Sequence, residues 1–553
     1  MAALANATMV DDVARAPARP HAPLTFDVSR MHIGAGGVEP FLWPVARQEL
    51  ETVRDTFMTE LAKAGRNLLQ FGDERGLLFE ILALQWAMSV MSAFQAGALI
   101  RRLETAGTAF EVPVYSTMLG PLMAGRTPGP ERYVRRLIEG PQTSSLLHAS
   151  LRELRNTLVD RIVRRRSFWR NSMQDAIVSV TTGPIIENQA LSLSAPVYYL
   201  PHAVWFHKPA ADEFYRGMKA LGRAVDIALD AAMGAFAAVG ADPGMLARSW
   251  LKEQFSLSLA GVEIYSQQLL TRIDRLPRRL WTGSNGNPYT RLLRRAVRAR
   301  GGTVVGHDHG NGSGLFIEPS IPPLEFIDCD RFVTFTRAHA ATLRQLPGSE
   351  WLVRPQAPDI VVAAPPVTRQ VSSATARTSR RGKLRILYMD PMFTGDRVTQ
   401  FAPHRSDLVA LDWVGRLIGV LQSWGHEVSY KAHPGSVISL PDEVATKLGV
   451  AVVRSAFEDV FQDYDLILFD DPHSSTLPIC LRSDKDVVII DTGFFAWSPG
   501  AREMLEKRCP IVASRWGSDN RQNVVWDELN KAIVEARSRR DPAFIDAYFS
   551  AAA

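Results

Sequence analysis

From residue 384 to residue 537 the chain alternates short, unbroken apolar runs with helical segments, and this alternation narrows the folds open to it more than any other feature. Strands are predicted over 384–389, 427–430, 450–453, 466–469, 487–490 and 510–513, with helices over 407–424, 441–448, 475–482, 501–507 and 522–537. Apolar runs that do not alternate with polar residues suit strands buried on both faces, as in parallel sheets. Short connections and right-handed crossovers then predict a doubly wound, Rossmann-like domain over 384–553.

A second α/β region precedes it. Strands are predicted over 176–180, 196–200, 279–283, 302–306 and 331–335, interrupted by a helical block over 210–275. This gives a first Rossmann-like domain over 174–356 with a helical insertion. Residues 357–383, rich in Pro, Ala, Ser, Thr and Arg without periodicity, read as a linker. Residues 41–173 read as a largely helical region, and residues 1–40, rich in Ala, Pro and Gly, as a mobile leader.

The 553 residues are 46% hydrophobic and 22% charged with a formal net charge of +5, within the range of a soluble globular chain and too mild to indicate nucleic acid. Cys329, Cys480 and Cys509 are far apart and form no metal-ligand spacing, as free buried thiols in a reducing compartment would. The segment 81–100 is apolar, but Gln85, Ser89, Ser92 and Gln95 fall on one helical face, so it is expected to be a core helix rather than a membrane span. The first thirty residues lack the continuous apolar core of a signal peptide, which predicts a cytoplasmic protein.

Two motifs stand where predicted strands of the second sheet end. Lys431-Ala432-His433-Pro434-Gly435 follows one, and Asp470-Asp471-Pro472-His473-Ser474-Ser475 follows another. Ligands of open α/β sheets bind outside the carboxyl ends of the strands. A lysine, an imidazole and two hydroxyls there suit a phosphorylated ligand. In the first sheet, Gly306-His307-Asp308-His309-Gly310-Asn311-Gly312-Ser313-Gly314 follows a strand. Its glycines Gly306, Gly310 and Gly312 shape a loop that permits close backbone approach, and Asp308 or His309 can serve as base or nucleophile. Asp328-Cys329-Asp330 matches an Asp-x-Asp metal pattern but precedes a strand rather than following one. Asp470-Asp471 is the better-placed metal candidate, although it fits a phosphate turn equally well.

Seven arginines between Arg152 and Arg170, with Phe168 and Trp169, predict either a solvated basic helix or peripheral contact with an anionic membrane. Arg291, Arg294, Arg295 and Arg298 share one side of a second basic helix.

A first sheet with a glycine-rich His loop, a linker, and a second sheet bearing Lys-x-His-Pro and Ser-Ser resembles the two-domain GT-B glycosyltransferases over roughly residues 176–537. Within them it is most similar to cytidine-nucleotide-dependent enzymes of bacterial surface polysaccharide: capsule Kdo transferases, sialyl- and polysialyltransferases, and CDP-glycerol glycerophosphotransferases. The resemblance implies an α/β fold of two Rossmann-like domains facing a cleft. It implies a donor nucleotide held by His433, Pro434, Ser474 and Ser475, to which the residues themselves add the cation Lys431, with Asp390 and Pro391 closing over it, and Asp308 or His309 as the acid/base group. It further implies a CMP-activated ulosonic acid as donor, a glycan or lipid-linked glycan as acceptor, and no metal or cofactor. A place at the inner face of the cell membrane goes with such an acceptor. CDP-polyol phosphotransfer and nucleotide or sugar binding without turnover are the alternatives. Two departures stand out: Asp308 precedes His309 where the family loop is often His-Gly, and Asp-Pro-His-Ser-Ser replaces the commoner Asp-Tyr-Ser-Ser.

Overall fold

A computed structural model describes residues 24–26, 30–112, 116–141, 176–193, 197–283, 285–308, 314–346, 349–355, 357–363, 382–389, 392–398, 405–436, 440, 442–470, 472–474 and 476–549. Two six-stranded, all-parallel sheets dominate it. The first comprises β1 (Ile177–Ser179), β2 (Val197–Tyr199), β3 (Arg279–Thr282), β4 (Thr303–His307), β5 (Arg331–Thr334) and β6 (Asp359–Val362). The second comprises β7 (Arg385–Met389), β8 (Glu427–Lys431), β9 (Ala451–Val453), β10 (Leu466–Phe469), β11 (Asp486–Asp491) and β12 (Ile511–Ala513).

The second sheet runs β9-β8-β7-β10-β11-β12, the Rossmann order, with its topological switch between β7 and β10. Its strands are buried on both faces, as the unbroken apolar runs predict. Ile386, Tyr388, Leu466, Leu468, Val488 and Ile490 join one core, while Leu387, Ile467, Phe469, Val487 and Ile489 join another. The first sheet runs β6-β5-β4-β3-β1-β2. That is the flavodoxin-like order extended by one strand, so the two sheets are doubly wound by different routes. Strand β6 lies inside the segment expected to be linker. It pairs in parallel with β5 from Arg331 with Asp359 to Thr334 with Val362, closing that edge of the sheet.

The expected leader also differs. His32–Gly34 and Gly37–Glu39 form a hairpin, with Ile33 and Val38 buried, that packs on helix Asp407–Ser423 of the second domain. Val38 N–H donates to Asp412 Oδ1 at 3.1 Å. The close approach depends on glycine: a Cβ on Gly37, whose φ is +94°, would meet the Asp412 carboxylate, and one on Gly419 would meet Ala35.

Helices Arg47–Gln70 and Gly76–Thr105 pack with the inserted helices Ala211–Ala220, Gly222–Ala237 and Met245–Leu270, so the helical region and the insertion form one body. Trp86 Nε1 donates to Ser258 Oγ at 2.7 Å, and the Trp86 and Phe255 rings lie 4.6 Å apart. Helix Gly76–Thr105 is long and apolar enough to cross a membrane, but 89% of its most apolar window is buried within the protein. Two of its polar residues reach other parts of the chain. Ser92 Oγ accepts from Val398 N–H at 2.9 Å, and Gln85 Nε2 donates to the Gly286 carbonyl at 2.6 Å. The same body grips the segment after β7, where Asp396 accepts from the N–H groups of Met118 and Leu119 and Arg397 pairs with Glu131. The arginine-rich residues 152–170 lie outside the described residues.

The second basic helix, Pro288–Ala299, turns its arginines inward. Asn287 caps it by accepting from Tyr289 N–H, and Pro288 suits its first position. Arg291 and Arg294 are fully buried, donating to the carbonyl oxygens of Ile81, Asn285 and Glu325. Arg295 pairs with Glu80 and Asp328, each at 3.0 Å. Arg298 pairs with Asp330, whose other oxygen accepts from Val304 N–H. The Asp-x-Asp pair is thereby committed to structure. A shared face by spacing does not say whether that face meets solvent, and here it meets carbonyls and carboxylates.

Burial pushes the neighbouring Glu325 carboxyl up to about 7 despite the pull of Arg294. Its folded value lies above its ordinary one, so the stability it contributes is complete below about 4.5 and is lost as pH rises through about 7. Glu325→Gln, which cannot ionise, is expected to gain on the wild type by up to roughly 3 kcal/mol between about pH 5 and about pH 8. Denaturant titration at the two pH values measures the difference.

Candidate functional site

A cleft of about 910 Å³ opens where the carboxyl ends of β7, β8 and β10 meet the first domain and helix Gly76–Thr105. It thus lies at the switch point of the second sheet, where sheets of this kind bind ligands.

Both motifs of the second sheet reach it. Lys431 ends β8, is 7% exposed, and donates from Nζ to the Ala432 carbonyl at 3.1 Å. Pro434 borders the cleft beside His433, whose Nδ1 accepts from Gly435 N–H at 3.0 Å. With Nδ1 accepting, the neutral ring carries its proton on Nε2, which makes Nε2 a donor. From the loop after β10, Ser474 Oγ shares a 2.7 Å hydrogen bond with Thr476 Oγ1, and both residues border the cleft. The helix that follows, Leu477–Arg482, is only six residues long, so the hydroxyls matter more here than a helix dipole. Asp390, Pro391, Asp471 and Ser475 lie outside the described residues, although Met389 and Met392 on either side of the first pair border the cleft.

Asp470 is occupied structurally. Its Oδ2 accepts from Tyr388 Oη at 2.6 Å, Arg405 at 2.8 Å and Trp413 Nε1 at 3.1 Å. This carboxylate fixes Arg405 at the cleft floor, and Gln522 Oε1 accepts from the same guanidinium nitrogen at 2.7 Å. Among the described residues, no group of three or more His, Cys, Asp or Glu side chains is placed to hold a metal ion.

The glycine-rich loop of the first domain differs from expectation. Strand β4 continues through Gly306 to His307, and Asp308 N–H extends its pairing to the Val333 carbonyl of β5 at 2.8 Å. Gly306 is therefore a packing glycine rather than a loop former: a Cβ there would meet Arg294, Cys329 and Phe332. His307 is buried against Gln189 and Thr282, and desolvation lowers its imidazole to about 4. Asp308 is 3% exposed, accepts from Thr334 Oγ1 at 3.2 Å, and is not among the described residues bordering the cleft. The continued pairing with β5 draws it into the sheet and away from the catalytic position expected of it. His309, Gly310 and Gly312 lie outside the described residues.

Glu318 occupies the cleft instead. It follows the short strand Phe316–Ile317, which pairs antiparallel with Ala496–Trp497 and so bridges the two domains. Ser320 Oγ donates to Glu318 Oε1 at 2.5 Å, while Glu318 Oε2 lies 3.9 Å from His473 Nε2 of the second domain. The His473 ring is held between Phe316, stacked at 4.2 Å, and Phe495 at 4.4 Å. A carboxylate of the first domain and an imidazole of the second thus face each other beside the cationic and hydroxyl-bearing loops.

Sequence reasoning passed over His473, Thr476 and Arg405. The first two stand in or beside the quoted Asp-Pro-His-Ser-Ser motif, but nothing local to Arg405 signals that it reaches the cleft floor. No protein-family model matches this chain, and no curated protein matches it in sequence.

Proposed function

We propose that the chain is a glycosyltransferase that moves a sugar from a cytidine nucleotide to a glycan or lipid-linked glycan, with a CMP-activated ulosonic acid as donor. The observation that carries the reading is the cleft itself: Lys431, His433, Ser474 and Thr476 on its second-domain side, and Glu318 with His473 at its inter-domain edge. In this reading the departing phosphate is received by the Lys431 cation, the His433 Nε2–H and whichever of the Ser474 and Thr476 hydroxyls does not donate to the other. Glu318 takes the proton of the attacking hydroxyl as the new C–O bond forms and the bond to phosphate breaks. The motif resemblance favours cytidine among the bases and supports a location on the cytoplasmic side of the membrane, where its acceptor would be made.

Thermal unfolding with CMP, CDP, UDP, GDP and ADP tests the nucleotide, since a ligand of the native state raises apparent stability by mass action. CMP and CDP are expected to stabilise most. His433→Ala should weaken CMP about 10-fold or more, the worth of one hydrogen bond to a charged group. Equal shifts from all five nucleotides, or a His433→Ala variant with wild-type CMP affinity, would refute the assignment.

A further inference from the structure

Arg47 opens the first helix of the helical region, Arg47–Gln70, at an end where the helix dipole opposes a cation. Its partners lie toward the far end of the chain instead. Nη1 donates to the Thr492 carbonyl at 3.3 Å and Nη2 to the Gly493 carbonyl at 2.5 Å. The guanidinium carbon stands 4.8 Å from the centre of the Phe494 ring, and Glu51 Oε1 accepts from Nε at 2.8 Å, which orients the guanidinium plane. Thr492, Gly493 and Phe494 follow β11, and Thr492, Phe494 and Phe495 border the cleft. Among the described residues only Arg47 donates to the Gly493 carbonyl, and the Thr492 carbonyl has one further donor, Trp516 Nε1 at 3.2 Å. Phe495, the next residue of the loop, is one of the two rings that hold His473.

We infer that Arg47 is a positioning residue for the transfer: from the helical region it ties down the loop after β11, and through Phe495 it fixes the His473 ring that faces Glu318. The inference rests on the transferase reading of the cleft and gives the helical region a part in it. A planar fork of N–H groups can hold two consecutive carbonyls and lay its face on an aromatic ring at once, which an ammonium cannot. Phe316, on the other side of His473, is secured separately by the pairing of its strand with Ala496–Trp497. Phe495 lies between that pairing and the carbonyls that Arg47 holds, so releasing Arg47 frees one of its two flanks. The His473 ring, 3.9 Å from Glu318, then loses its support on that side. A displacement of about 1 Å beside the reacting atoms can cost up to about 100-fold in rate.

The test uses the full chain, with the His473 ring signals followed by NMR and identified by their loss in His473→Gln. The two aromatic rings beside the imidazole shift those signals in the wild type. Arg47→Met keeps the aliphatic stem and removes the guanidinium, so its His473 signals should move toward those of an exposed histidine, as Phe495→Ala moves them directly. Transfer should fall about 10-fold or more in both single variants, in kcat rather than in KM for the donor. The double variant Arg47→Met/Phe495→Ala should be no slower than Phe495→Ala alone, because both act on one ring, whereas two unrelated structural defects would add. Should Arg47→Met fold poorly, Arg47→Lys decides: it keeps a donor but not the fork, and should move the same signals part of the way. Unchanged His473 signals in the Arg47 variants, or additive losses in the double variant, overturn the inference. If the wild type transfers no sugar, the transferase reading falls, and the NMR comparison alone then decides whether Arg47 holds the His473 ring.

Discussion

Glu318→Gln is expected to lower sugar transfer by about 100-fold or more while leaving CMP affinity unchanged, since a positioned general base contributes on that order. The substitution keeps the side chain's shape and an oxygen for Ser320 Oγ to donate to, so the local loop should hold. It removes the charge that, in the proposed reaction, draws the proton from the attacking hydroxyl. His473, 3.9 Å away, cannot take over easily, because its ring is fixed between Phe316 and Phe495. Single-turnover transfer, set beside calorimetric CMP binding, separates the two effects. Near-normal transfer by Glu318→Gln would move the proton chemistry to another group.

The largest expected loss of stability follows Asp470→Ala. Asp470 and Arg405 form an ion pair at 2.8 Å with side chains 0% and 3% exposed. Removing the carboxylate strands a buried guanidinium together with the Tyr388 hydroxyl and the Trp413 N–H, all of which use the same oxygen. Breaking one side of such a pair costs about 3–5 kcal/mol, whereas replacing both partners by apolar groups is often close to neutral. The double variant Asp470→Ala/Arg405→Met should therefore recover much of the loss, and a double-mutant cycle by denaturant unfolding measures the coupling. A single-variant loss below about 1 kcal/mol would mean that the pair does not hold the cleft floor.

The second domain was readable because its strands are buried on both faces and show as unbroken apolar runs, such as Leu466–Phe469 and the core of Asp486–Asp491. The strand order of the first sheet was not readable, since it depends on which strands pair over long distances. Strand β6 follows Gln356-Ala357-Pro358, and that flanking composition disguised it as linker. Gly36-Gly37 made the packed hairpin look like a mobile leader, although Gly37 is what lets it sit against Asp412. Spacing put Arg291, Arg294, Arg295 and Arg298 on one face but could not show that the face turns inward.

For the site, Lys431, His433, Pro434 and Ser474 were legible as chemistry at strand ends, and they do border one cleft. Asp308 stands elsewhere than expected because a glycine-rich loop marks where a strand should stop, whereas pairing with β5 carries the backbone on past His307. Glu318 lies ten residues further along, after a two-residue strand that pairs only with the other domain. No local pattern announces such a contact.

The loops after β8 and β10 are proposed to hold a nucleotide phosphate, and a crystal structure of the CMP complex decides it. The phosphate is expected within hydrogen-bonding distance of Lys431 Nζ, His433 Nε2 and the Ser474 or Thr476 hydroxyl, in the cleft that Glu318 borders. A phosphate bound away from these residues would contradict it.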